Sequence, residues 1–74
     1  MARLVKRSIT LSGHATSLAL EPEFWAVLDR MAAQAGGMAK LLVQIDAERG
    51  ERALASACRV AALRWASPQD PALA

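Results

Sequence analysis

HATSLALEPEFW, residues 14–25, is the stretch on which the fold turns. Leu18 and Leu20 fall on one side of an extended chain while Ser17 and Ala19 fall on the other, the period-two pattern of a strand with one apolar face. Glu21-Pro22-Glu23 then opens a helix at once. Proline suits the first helical turn because its missing N–H would have had no partner there, and the two acids favour the positive end of the helix dipole. So short a strand, running directly into a helix, raises the question of what completes its sheet.

Upstream, Ile9 and Leu11 continue the alternation on the far side of Ser12-Gly13-His14, a turn signal. This gives two strands, at about residues 7–11 and 15–20, with residues 1–6 ahead of them as a basic arm. The first strand either pairs with the second as a hairpin or stands apart as an arm. An isolated two-stranded ribbon is unstable in water. If residues 15–20 pair instead with the same strand of a second molecule, antiparallel about a two-fold axis, the open edge is satisfied.

Downstream, Phe24, Leu28, Met31 and Ala35 recur at four-, three- and four-residue steps, the apolar stripe of a helix over residues 22–35 that Gly36-Gly37 ends. Trp25, adjacent to Phe24, cannot share its face and is read as capping a dimer seam. A second helix over about 39–49 turns Leu42 and Ile45 inward, and a third over about 53–66 carries Leu54, Cys58, Ala61 and Trp65 on one face. The sequence SPQDPALA reads as a flexible tail over 67–74.

A chain of 74 residues makes one domain, and at this size a monomer recovers only about 60% of its unfolded surface. The sequence is nevertheless 54% hydrophobic, with mean hydropathy +0.19. A domain this small hides that much apolar surface with difficulty, so a second chain is expected to cover part of it. No apolar run approaches the ~20 residues of a membrane span, and the N-terminus lacks the continuous apolar stretch of a secretory signal, so a cytoplasmic location is expected and no membrane partner. One cysteine and one histidine offer neither a disulfide nor a zinc site, and no metal or cofactor is expected.

The net charge of +2 is unevenly spread. Arg3, Lys6 and Arg7 precede any acid, and the rest of the chain sets six bases against seven acids. A basic N-terminal segment either solubilises a terminus or meets phosphates.

Strand, proline, glycine-terminated helix and second helix form the order of the ribbon-helix-helix DNA-binding proteins, and TSLALEPEFWAVLDRMAAQAGG resembles their strand and first helix. KRSITLSGHATSLALEPEFW, LLVQIDAERG and ALASACRV further resemble a small bacterial subfamily of such domains over about residues 6–65. The resemblance implies a mainly α fold with a short β-ribbon: an intertwined homodimer with an intermolecular antiparallel ribbon, here with an additional C-terminal helix, the domain covering 7–66. It implies a ribbon inserted in the major groove of double-stranded DNA, with Ala15, Ser17 and Ala19 turned to the bases. Arg3, Lys6, Arg7, His14, Ala39 and Lys40 would face phosphates, the last two at the start of the second helix. Thr16, Leu18, Leu20, Phe24, Trp25, Leu28, Met31, Leu42 and Ile45 would form the dimer interface and core. Two features depart from the family pattern. Ala15 and Ala19 stand where long polar side chains are usual, and Met38 replaces the Ser or Thr usual at the second helix start.

Several residues have a plainer structural reading. His14 sits in a turn, and Asp46, Glu48 and Arg49 read as a solvated helix end with local ion pairs. Cys58 reads as a small buried hydrophobe. Arg59 and Arg64 either anchor a partner or keep the third helix soluble. With no phosphate-cradling glycine loop or nucleophile elbow, the sequence reads as a non-enzyme. The expected function is that of a dimeric transcriptional regulator. The alternative is a protein-interaction, scaffold or antitoxin module that keeps the dimer fold with weak base reading and takes a protein partner.

Overall fold

The structure, a computed structural model, describes residues 3–73. Two strands, β1 (Val5–Leu11) and β2 (His14–Leu20), are followed by three helices, α1 (Pro22–Ala35), α2 (Met38–Glu48) and α3 (Leu54–Ala66). The strands pair antiparallel within the chain, Val5 opposite Leu20 and Leu11 opposite His14. The hairpin arrangement is therefore the one adopted, and Lys6 belongs to β1, not to an arm. Ser12 and Gly13 form a two-residue loop in which both have positive φ, 52° and 83°, as a type I′ hairpin turn requires.

This hairpin does not stand alone in water: α2 packs against β1 and α3 against β2, and the three helices pack on one another. One face of the hairpin thereby enters the core through Ile9, Leu18 and Leu20. Leu20, Leu28, Leu42 and Cys58 are fully buried at the centre. Thr16, expected in the dimer interface or core, sits opposite buried Ile9 on this face but is itself exposed within the single chain.

The helix entry works as the sequence suggests. Glu21 is extended, Pro22 begins α1, and the Glu21 carbonyl accepts from the N–H groups of Phe24 and Trp25 at 3.0 and 3.2 Å. Gly36 ends α1 at φ 91°, and the Gly37 N–H donates to the Ala32 carbonyl at 2.8 Å, the left-handed closure that glycine makes without a Cβ penalty.

The inward stripe of α1 is rotated from the one expected. Trp25, Leu28 and Ala32 are buried, while Phe24, Met31 and Ala35 are half-buried at its flank. Trp25 is not a seam cap: it is a core residue, 2% exposed, whose indole N–H donates to the Val5 carbonyl at 2.7 Å. The ring thus anchors the start of β1 to α1 while meeting its own hydrogen-bonding need. On α3 the buried residues are Ala57, Cys58 and Ala62, with Leu54 and Ala61 only partly covered.

The tail expected to be loose is folded in local turns. The Ser67 N–H donates to the Leu63 carbonyl and closes α3, the Asp70 N–H donates to the Ser67 carbonyl, and Pro71–Leu73 form a short 3₁₀ turn. Ala74 lies outside the described residues.

Candidate nucleic-acid interface

The two-residue loop fixes which side chains share a face. With Leu11 opposite His14, the outer face of the hairpin carries Lys6 beside Ala19, Ser8 beside Ser17 and Thr10 beside Ala15. All are exposed except Ala19, which is half-buried. The face holds one ammonium, three hydroxyls and three methyl groups, with no carboxylate. Ser8 and Thr10 were not among the residues expected here. A hairpin register counted outward from Ser12-Gly13 would have placed them opposite Ser17 and Ala15.

Arg7 is on the other face and does something else. Its guanidinium makes two hydrogen bonds to the Asp29 carboxylate, at 2.9 and 3.2 Å, and stacks 4.3 Å from the centre of the Trp25 ring. The expectation that it reaches a phosphate is corrected: alternation turns it toward α1, where a carboxylate and an aromatic face already hold it. Asp29, bonded by that guanidinium, sits below the usual carboxylate range.

Of the remaining basic candidates, Lys6 projects from the outer face, Arg3 precedes β1 in the open, and Lys40 lies exposed in the first turn of α2. The start of α2 has no side-chain cap; Gly37 occupies the cap position, and its carbonyl accepts from the Leu41 N–H at 3.1 Å. Ala39 is exposed beside it, so the free amides of that first turn and the helix dipole are open to an anion. His14 is exposed at the turn end of β2. It lies on the parity of Leu18 and Leu20, not that of Ala15 and Ser17.

Arg59 is also engaged within the chain, donating from Nε to Glu21 at 2.9 Å and lying over the Phe24 ring. That bond holds the Glu21 carboxyl below its ordinary range. Asp46 and Arg49 pair at 2.6 Å across one turn of α2.

The outer edge of β2 pairs with no strand, because β1 occupies only the opposite edge. Large apolar side chains also remain uncovered: Leu4 and Val5 at the start of β1, Val43 on α2 and Leu63 on α3. No helix is long and apolar enough to cross a membrane among the described residues.

Residues 4–66 match the family model of the ribbon-helix-helix domain, and the chain belongs to that family. Its members are typically dimeric, DNA-binding regulators. No curated protein and no solved structure matches the chain.

Proposed function

We propose that this protein is a dimeric DNA-binding protein, a small transcriptional regulator that sets its β-ribbon in the major groove. The observation that carries the reading is the outer face of the hairpin, free of carboxylates and made of exposed Lys6, Ser8, Thr10, Ala15 and Ser17 with half-buried Ala19.

The open edge of β2 is where a second copy would join, giving the strand order β1-β2-β2-β1 across a two-fold axis. Strands lie about 4.8 Å apart. The two outer strands are then roughly 14 Å from each other, close to the ~12 Å width of the major groove. The central β2 pair enters the groove, and the β1 strands run along its walls. On this geometry the alanines of β2 are an advantage of fit. Ala15 and Ala19 let the ribbon approach closely and offer methyl contact to thymine, Ser17 supplies a hydroxyl to a base edge, and Lys6, Ser8 and Thr10 face the phosphates. Arg3, Lys40 and the free amides at Ala39 add backbone contacts, with His14 at the ribbon tip.

The second reading, a protein-interaction or antitoxin module, is favoured by one observation: a single hydroxyl per β2 strand is the whole hydrogen-bonding capacity directed at bases. Selecting bound fragments from random genomic duplex with the purified protein separates the two. A common sequence among the fragments, bound with an affinity that falls steeply with salt, is expected. A sedimenting dimer that retains no duplex at low salt would contradict the proposal and favour the second reading.

A further inference from the structure

The last turn of α2 and the outer side of α3 enclose a cleft of about 60 Å³. Its floor is apolar, from Ile45, Ala57, Val60 and Ala61, and its rim carries Arg49, Arg52, Arg64 and Glu48. Arg49 is fixed in place: it bonds Asp46 through Nε and the Arg52 carbonyl through one terminal nitrogen at 2.6 Å. The second of these bonds ties down the loop that carries Arg52. Among the described residues, Arg52 and Arg64 make no ion pair, and both are exposed. Three arginines and one glutamate line the cleft, and Asp46 pairs with Arg49 alone, so the lining carries a net positive charge.

The chemistry of the lining defines the occupant. Pockets that take a metabolite or nucleotide measure roughly 300–1,000 Å³, several times this cleft. The space instead suits the head of one side chain. Arginine forks match a carboxylate in bidentate geometry, and the apolar floor suits a hydrocarbon stem. Nor is this the surface offered to DNA at the start of α2, since the cleft lies at the other end of an 11-residue helix, roughly 16 Å away.

We infer that the α2–α3 cleft is a docking site for an acidic segment of a partner protein, which inserts one Asp or Glu side chain between Arg49, Arg52 and Arg64 and lays an adjacent apolar residue on Val60 and Ala61. The site is separate from the ribbon and does not depend on DNA binding.

The test is selection of displayed random linear peptides on the intact chain, followed by affinity measurement against the wild type and the doubly substituted R52Q/R64Q protein. Both substitutions are at exposed positions, so the variant should keep the wild-type unfolding curve. Selected peptides should place an acidic residue beside an apolar one. Their affinity should fall about tenfold or more in the double variant, and again when the acid is replaced by its amide. Duplex affinity should stay within about twofold, because the ribbon is untouched. Recovery of no peptides, of neutral or basic ones, or of acidic ones that bind the double variant equally well would overturn the inference. So would displacement of the peptide by inorganic phosphate at comparable concentration, which would reassign the cleft to a free oxyanion.

Discussion

Arg7 and Lys6 are neighbours in sequence and sit on opposite faces of β1, so the same substitution at each should have different consequences. Arg7→Ala removes a bidentate pair with Asp29 and a stacked cation on Trp25. Because both charged groups are substantially exposed, the loss should be only about 1 kcal/mol of unfolding free energy. The salt dependence of duplex binding should stay as it was. Lys6→Ala should leave the urea midpoint in place and reduce the slope of log affinity against log salt by about 1 for each phosphate that a lysine neutralises. Equal slopes for wild type and Lys6→Ala would show that Lys6 meets no phosphate. Cys58 gives a second residue-scale expectation. Burial pushes its thiol up to about 11, with Arg59 pulling the other way, so in the native protein it is neutral and covered. A thiol reagent at pH 8 should react with it only as fast as the chain unfolds, and rapid labelling of the folded protein would contradict its place in the core.

At the scale of elements, the hairpin turn and the two ion pairs are where small changes should register. Ser12 has φ 52° without being glycine, in a turn that prefers asparagine at that position. Ser12→Asn should therefore raise stability by a few tenths to about 1 kcal/mol, read from the denaturant midpoint. Asp29 joins α1 to β1 through Arg7, and Glu21 joins the start of α1 to α3 through Arg59. Both carboxyls are held below their ordinary values of 3.8 and 4.5 in the folded chain. The stability they lend is complete above those ordinary values and is lost as pH falls through the lower folded ones. The denaturation midpoint should thus be steady through neutral pH and decline below about 4.5, with a shallower decline in Asp29→Asn. These elements also show how far the sequence could be read. Leu18, Leu20, Pro22 and Gly36 each announce their place because local chemistry alone constrains them: alternation, a missing N–H, a left-handed closure. Arg7 and Trp25 depart from their expected places because their positions follow from tertiary packing. Once β1 folds back onto β2, Arg7 is carried to Asp29 and the Val5 carbonyl meets the indole N–H. Ser8 and Thr10 were illegible for the same reason, since the hairpin register that exposes them is one of two arrangements the sequence allows.

For the whole molecule, the unpaired β2 edge and the uncovered Leu4 and Val5 at the start of β1 are unfinished surface. A charged residue on that edge would be tolerated by a monomer and not by a paired ribbon. Thr16→Lys, at an exposed position, should therefore leave the fold intact and shift sedimentation from dimer toward monomer, with duplex affinity falling in step. The outer face of the hairpin is the proposed surface for DNA. That assignment is tested most directly by titrating the isotope-labelled protein with duplex at low salt and following each backbone amide. The largest shifts should fall at Lys6, Ser8, Thr10, Ala15, Ser17 and Ala19, with smaller ones at Ala39 and Lys40 and none around the α2–α3 cleft. Shifts confined to other surfaces, or an intact dimer whose spectrum does not respond to duplex at all, would contradict it.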